Sequence, residues 1–519
     1  MNFLYIAYRT RSGFPYIYDT STNEIIRLSE RCYSFFSKIK KTAENAETDS
    51  NDSCTDSPIR ALVKAGFLKN HVNIIESEIG GVVIDGSYHD LRDFASNNCA
   101  GLVLELTQKC NLRCEYCCFG DCYDSYRRHS NQSISYRIAK KSIEEYCKRS
   151  RNNVHISFYG GEPLLEYDLL QEVLLFAERH VSSLGKKVDF AITTNGTLLT
   201  KDKLKFLTTH DVTIHISLDG DKKTHDAFRV FENGTGSFDV IQDNITYFVD
   251  AYPDYSKKGF SVTLTSASNL YESDLLFSKF SPKINIASLS YVRELPDYAP
   301  ILGCPASECD GGSLQLPLPP FYQWTDRLLA THNRYYYAFI DKVCDDPLAA
   351  FKEHPLLSHI FLNRVRGVHY RSVGAFRGNV SKVFCFPGVL RLFCSSDGIY
   401  YPCERVDQSP CYSVGNVWEG LDIQKMTELT NMPLGLCNCA NCCGKHICGM
   451  CLTDIQNDAT KTKLLIHEQK CQSSLQRIEN ALIDYTSVME KRPDAFATLD
   501  EMSDGDPLEW LRKMKVLYK

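Results

Sequence analysis

Three cysteines set the first chemical question. Cys110, Cys114 and Cys117 stand in the spacing C-x3-C-x2-C within Thr107-Gln-Lys-Cys110-Asn-Leu-Arg-Cys114-Glu-Tyr-Cys117. Three thiolates on one short loop can hold three irons of a cubane iron-sulfur cluster and leave the fourth iron without a protein ligand, open to a substrate or cofactor. With cysteines scattered at random, this spacing would arise only about 0.05 times per chain of this composition. Cys118 and Cys122, just beyond it, read as packing or spare thiols.

The chain has 23 cysteines, and their distribution is uneven. Five lie between Cys110 and Cys122 and eleven between Cys385 and Cys471, with none between Cys147 and Cys304. Two separate sulfur-rich sites follow. The second contains Cys385-Phe-Pro-Gly, Cys394-Ser-Ser-Asp-Gly-Ile-Tyr-Tyr-Pro-Cys403-Glu404, and Cys439-Ala-Asn-Cys442-Cys443-Gly-Lys-His-Ile-Cys448-Gly-Met-Cys451, then Cys471. Pairs of the CxxC type also build tetrahedral zinc sites. Zinc would account for Cys439, Cys442, Cys448 and Cys451 and leave the upstream field unexplained. A disulfide framework fits a short secreted chain, not this one.

The elements that must position these residues follow from periodicity. From Leu102 to about Val292, short β-rich runs (LVLELT, VHISFYG, VDFAITT, VTIHISLDG, FSVTLTS, INIASLSYV) alternate with stretches of helical spacing. That alternation predicts an α/β fold with a parallel sheet and right-handed crossovers, and six units predict a partial (β/α)6 barrel rather than a complete one of eight. The cysteine loop follows the first strand, Gly160-Gly161-Glu162-Pro163 ends the second, Thr194-Asn195-Gly196-Thr197 the third, and Ser217-Leu218-Asp219-Gly220 the fourth. Carboxyl ends of barrel strands form one catalytic face, so these dispersed motifs converge.

With these motifs the sequence resembles the radical S-adenosylmethionine (SAM) superfamily. The resemblance implies that the open iron binds the amino and carboxylate groups of SAM, and that a 5'-deoxyadenosyl radical removes a substrate hydrogen atom. Gly160, Gly161 and Pro163 would let the backbone approach the cofactor. Glu162, Thr194, Asn195, Ser217 and Asp219 would supply groups for its amine, ribose and carboxylate. His225-Asp226-Ala-Phe-Arg229 continues the family pattern, with Arg229 a carboxylate partner.

The second field resembles the SPASM extension of peptide-modifying radical SAM enzymes. Two auxiliary 4Fe-4S clusters are implied, three clusters in all. Residue by residue, Cys385, Cys403 and Cys451 would ligate the first auxiliary cluster, and Cys439, Cys442, Cys448 and Cys471 the second. This chain has two residues between Cys448 and Cys451 where the family usually has three. Cys394 is either a fourth ligand of the first auxiliary cluster or a core residue of a strand. A set without Cys394 leaves an open iron able to bind a substrate thiolate. Glu404, beside a ligand cysteine, is the candidate catalytic base.

Five regions are expected: an α+β module over 1–95, the barrel over 96–295, an aromatic-rich bridging region over 296–384, the SPASM domain over 385–475 and a helical tail over 476–519. The first, with YIYDTSTNEIIRLSE and ALVKAGFL, resembles the winged-helix-like leader-recognition modules of ribosomal-peptide maturases. A leader would add a strand to its sheet edge. The implied partners are a precursor peptide with a leader, and a reductase or a flavodoxin- or ferredoxin-type electron donor. The implied reaction is a cysteine-to-carbon thioether crosslink. A carbon-carbon crosslink, the formylglycine chemistry of sulfatase maturation and, more distantly, a non-catalytic metal-binding protein stand beside it.

Composition sets the remaining bounds. A net charge of −6 and pI near 6.2 give no reason to expect nucleic acid. The opening MNFLYIAYRTRSGFPYIYDT lacks the basic start and apolar run of a secretory signal, and no run reaches about 18 apolar residues. The expected setting is the cytoplasm, with no membrane partner.

Overall fold

The structure is a computed structural model that describes residues 4–43, 58–68, 81–84, 87–90, 98–117, 119–120, 128–265, 268–281, 283–291, 328–329, 332–371, 387–436, 441–457, 464–465 and 468–496. Its centre is the predicted α/β sheet. Strands β6 (Leu102–Thr107), β7 (Asn153–Gly160), β8 (Lys187–Thr194), β9 (Thr213–Ser217), β10 (Lys258–Leu264) and β11 (Asn285–Tyr291) pair in parallel, each with the next. Helices Tyr136–Arg149, Tyr167–Ser183, Lys201–Thr209, Phe238–Ala251 and Leu270–Phe280 fall between consecutive strands. Several start on side-chain caps: Ser135 accepts from Ile138 N, Thr200 from Lys203 N and Asn269 from Glu272 N.

Strand alternation separates two faces. Val154, Ile156, Phe158, Phe190, Ile192, Ile214 and Ile216 are buried toward the helices and make the core. The opposite, inner face carries Ser157, Tyr159, Thr193, His215, Ser217, Ser261, Thr263, Ser288 and Ser290. Ser261 and Ser288 hydroxyls lie 2.8 Å apart across two of its strands.

The sheet does not stop at the barrel. Strand β12 (Leu392–Cys394), from the second cysteine field, pairs in parallel with β6, and β13 (Ile399–Tyr401), β14 (Gly415–Asn416) and β15 (Gly420–Leu421) continue the sheet to ten strands. The cysteine-rich segment is therefore built onto the barrel's first strand. Helices Asn333–Asp345, Pro347–Glu353 and Pro355–His369 fill the described part of the bridging region. The terminal helix, Glu468–Lys491, begins early enough to hold Cys471 in its first turn. The segments LPLPPFYQW and PLEWLRKMKVLYK, and the acidic stretch over 44–57, lie outside the described residues.

At the amino end, β1 (Tyr5–Arg9), β2 (Pro15–Asp19) and β3 (Glu24–Arg27) form an antiparallel sheet with helices Glu30–Ala43 and Pro58–Lys64 beside it, around Ile17, Phe36 and Leu68. This module is bonded to three segments of the chain's second half. Tyr8 Oη and Thr486 Oγ1 are 2.8 Å apart, the Thr20 hydroxyl donates to Cys443 O at 2.7 Å, and Arg371 Nε donates to Asn23 O at 2.9 Å.

Candidate active site

The cysteine loop is fastened on three sides. Gly161 N donates to Thr107 O at 2.7 Å and Glu162 N to Lys109 O at 2.7 Å, tying it to the end of β7. A β-carbon at Gly160, where φ is +141°, would come 2.2 Å from Thr107 O, and one at Gly161 would come 2.1 Å from Lys109 O. The two glycines are thus required by the close passage of the loop's backbone. On another side, Arg113 N donates to Val230 O at 2.7 Å and Glu115 N to Phe228 O at 3.1 Å, binding the loop to the segment that carries Arg229. On the third, Asn195 Nδ2 donates to Asn111 Oδ1 at 2.8 Å and lies 3.8 Å from Cys110 Sγ.

The ends of β6, β7, β8 and β9 therefore meet around the three thiols. Burial raises Cys110 to about 11, and Cys114 is raised by burial while the Arg229 charge pulls it down. Leu112 N donates to Cys110 Sγ at 3.4 Å and Phe119 N to Cys117 Sγ at 3.4 Å. Sulfur atoms that accept N–H groups in this way suit thiolate ligands, whose charge those donors stabilise. Among the described residues, no three His, Cys, Asp or Glu side chains converge closely enough to share a single metal ion. Three thiols on one short loop, two of them with N–H donors behind them, fit the ligand set of a cluster.

Glu162 is held by the ends of two strands. It is wholly buried: Oε1 accepts from Leu164 N at 3.0 Å and Thr194 Oγ1 at 2.8 Å, and Oε2 accepts from Asn195 N at 2.6 Å. Burial raises its pKa against those three donors. Its work here is to brace the ends of β7 and β8, with Pro163 starting the short 3-10 turn after it. Ser217 ends β9 half-buried on the inner face.

Arg229 is nine-tenths buried. Nη1 donates to Tyr116 Oη at 2.8 Å and lies 3.9 Å from Asp219 Oδ2. The Tyr116 hydroxyl also donates to Asp219, and Asp219 Oδ1 accepts from Thr263 N at 3.0 Å. Burial works against the Arg229 charge, while Cys114, Tyr116 and Asp219 hold it in place. Arg229 Nε is buried with no hydrogen-bond partner among the described residues, and an orphan donor near the Cys114 thiol suits an anionic group bound there. Tyr116, which the sequence reading does not single out, is the hub of this network; its only signal is its place between two candidate ligands. Asp219 N donates to His225 Nδ1 at 3.3 Å, and the other ring nitrogen lies 3.0 Å from Ser237 Oγ.

In the second field the described cysteines fall into two groups. Cys403 is raised to about 12 by burial, then by the nearby charges of Glu404 and Cys451. Cys448 is raised by burial, then by the proximity of Cys442 and Cys471. Cys443 donates to Cys442 and lowers it to about 6. Cys385, Cys439, Cys118 and Cys122 lie outside the described residues. Cys394 is wholly buried within β12; burial raises its thiol to about 12, and the groups that bear on it are Ser142, Glu105 and Asp397, not another cysteine. Glu404 is ion-paired with Arg391 and nine-tenths buried beside Cys403.

Comparison with known proteins accords with this geometry. Residues 104–266 match the model of the radical SAM superfamily. A cysteine-type anaerobic sulfatase-maturating enzyme of Clostridium novyi is 31% identical over 145 residues, 28% of this chain and 38% of that enzyme. The radical SAM cyclopropyl synthase TigE of Paramaledivibacter caminithermalis is 27% identical over 158 residues, 28% of this chain and 33% of that one. The matches thus span little more than a third of these relatives' own length. The solved structure of anSMEcpe with bound AdoMet superposes with a TM-score of 0.52 at 17% identity, covering 78% of this chain and 96% of that one. No helix among the described residues is long and apolar enough to cross a membrane. Residues 104–266, which match the radical SAM superfamily, lie in an α/β fold with a mostly parallel sheet.

Proposed function

We propose that this chain is a radical SAM enzyme that modifies a ribosomally made precursor peptide and installs a cysteine-to-carbon thioether. The observation that carries the reading is the meeting of the Cys110–Cys117 loop with the ends of β7, β8 and β9, through Gly161, Asn195 and the Arg229 segment. Cys110, Cys114 and Cys117 would hold the SAM-binding cluster. Cys403 with Cys451, and Cys442 with Cys448 and Cys471, would contribute to two auxiliary clusters, with Cys385 and Cys439 completing their sets. Cys394 is left to the core.

When bound, the cluster and SAM supply a carbon radical that takes a hydrogen atom from the substrate. The chain's residues hold the participants. Asn195 and Arg229 flank the cluster loop, and the polar inner face receives the peptide. In thioether formation one C–H and one S–H bond break and one C–S bond forms. The carbon's hydrogen atom would go to the SAM-derived radical, Glu404 beside Cys403 would take the thiol proton, and Cys403 with Cys451 would help hold a centre able to accept the one remaining electron. The amino-terminal module captures the leader, and a flavodoxin- or ferredoxin-type protein supplies the priming electron.

Sulfatase maturation is the second reading, favoured by the sulfatase-maturating relatives and by the fold shared with anSMEcpe. One experiment separates the two. The reconstituted chain is given SAM, dithionite and a cysteine-rich precursor encoded beside its gene, and the product is analysed by mass spectrometry and thiol alkylation. A thioether removes two hydrogens and one alkylatable thiol. A carbon-carbon link removes two hydrogens and no thiol, and formylglycine removes the sulfur altogether. Either of the last two products would overturn the thioether assignment.

A further inference from the structure

The loop that carries Cys403 crosses the barrel opening. At one end Gln408 Nε2 donates to Glu105 Oε1 on β6 at 3.0 Å; at the other, Arg405 Nη2 donates to Ser290 Oγ on β11 at 3.0 Å. Arg391 reaches the same face from the segment before β12. Its charge bears on His215 of β9, whose imidazole burial and Arg391 together hold below the usual range. Two guanidinium groups from the second cysteine field thus enter an inner face whose strands offer serine and threonine hydroxyls.

Four described carboxylates on or beside that face already have partners. Glu105 accepts from Gln108, Ser396 N and Gln408. Asp189 faces His155 at 3.4 Å and Lys257 at 3.8 Å. Asp219 holds Tyr116 and Arg229, and Glu404 holds Arg391. Among the described residues Arg405 has no carboxylate partner: the guanidinium's contact is the Ser290 hydroxyl, and the residue is exposed at the opening. A planar cation held at one corner by a hydroxyl leaves its remaining N–H groups for a bidentate anion.

We propose that Arg405, seated by Ser290, is the docking group for a carboxylate of the substrate peptide, so that the modified residue lies next to an aspartate, a glutamate or the chain terminus. This rests on the peptide-modifying reading above. It makes Arg405 a specificity residue: the carboxylate anchors the peptide across the opening while a neighbouring carbon faces the radical centre.

The test uses the reconstituted full chain and three probes, acetyl-Ala-Glu-Ala-amide, acetyl-Ala-Gln-Ala-amide and acetyl-Ala-Gln-Ala with a free terminal carboxylate, with binding followed by NMR titration. Wild-type protein is expected to bind the glutamate peptide roughly ten-fold more tightly than its neutral glutamine isostere. Tight binding of the free-terminus probe assigns the terminal carboxylate as an acceptable source; its failure restricts the site to side chains. Arg405→Gln should erase the preference, and Arg405→Glu should reverse it toward acetyl-Ala-Lys-Ala-amide. Equal or absent binding of the glutamate and glutamine peptides, or a preference that survives in Arg405→Gln, overturns the proposal. Failure of the underlying reading shows separately, as absence of 5'-deoxyadenosine when wild-type protein receives SAM and dithionite.

Discussion

The two cysteine fields are built by opposite means. The first is local: three thiols within eight residues, on a loop fixed to the ends of adjacent parallel strands. The second is assembled from distance: Cys403 follows β13, Cys451 precedes a short turn, Cys442 and Cys448 share an irregular stretch, and Cys471 sits in the first turn of the terminal helix. A local field inherits its geometry from the barrel, and an assembled one requires the whole carboxyl-terminal half to be in place. Losses in the two fields should therefore differ in kind.

The sharpest contrast comes from one substitution in each. Cys114→Ala should reduce 5'-deoxyadenosine to background. Cys442→Ala should leave SAM cleavage measurable and abolish modified peptide, as read by chromatography of both products. Equal loss of cleavage in the two variants would break the distinction between the fields.

Next in size is Gly161→Ala. Its β-carbon would need the space of Lys109 O, 2.1 Å away, and displacement of that carbonyl moves the loop that bears Cys110. A cost of roughly 3 kcal/mol is expected, with fewer irons retained on the first cluster by Mössbauer integration. Unchanged iron content would show that the loop is less tightly bound to β7 than its hydrogen bonds indicate. Glu162→Gln is milder. An amide cannot accept all three donors, and the mismatch should lower stability by about 2 kcal/mol, read as a lower thermal midpoint with cluster spectra preserved.

These two positions also show what the sequence made legible. The six strands, their order and the placing of each motif at a strand end followed from alternation, because parallel strands buried on the helix side carry unbroken apolar periodicity. The bracing contact of Glu162 did not: a carboxylate in a glycine-rich motif reads as a ligand-binding group, and only its burial against three donors shows that it also joins two strands. The joining of β12 to β6 was hidden for a similar reason. Its three residues are too few to carry periodicity, and their partner lies almost three hundred residues earlier. The burial of Cys394 follows from that pairing. Tyr116 acquired meaning only when Asp219 and Arg229 were seen beside it.

The smallest expected effect is a pH dependence. His225 is held neutral, its pKa well below the usual imidazole range, by burial and then by Arg229 and Lys222. The unfolded chain binds this proton below about pH 6.5 while the native state does not, so stability should fall as pH drops beneath that value and be unaffected above it. Thermal midpoints between pH 7.5 and 5.5 should decline less in His225→Gln than in the parent. An identical decline in both would place the acid sensitivity elsewhere.

The central claim is that the Cys110–Cys117 loop carries a SAM-cleaving centre with two further clusters behind it. Iron and acid-labile sulfide per chain after anaerobic reconstitution, paired with 5'-deoxyadenosine formation on adding SAM and dithionite, tests it most directly. The account predicts about twelve irons and nucleoside formation that disappears in Cys114→Ala. Zinc in place of iron, with no cleavage in a fully reconstituted sample, would contradict it.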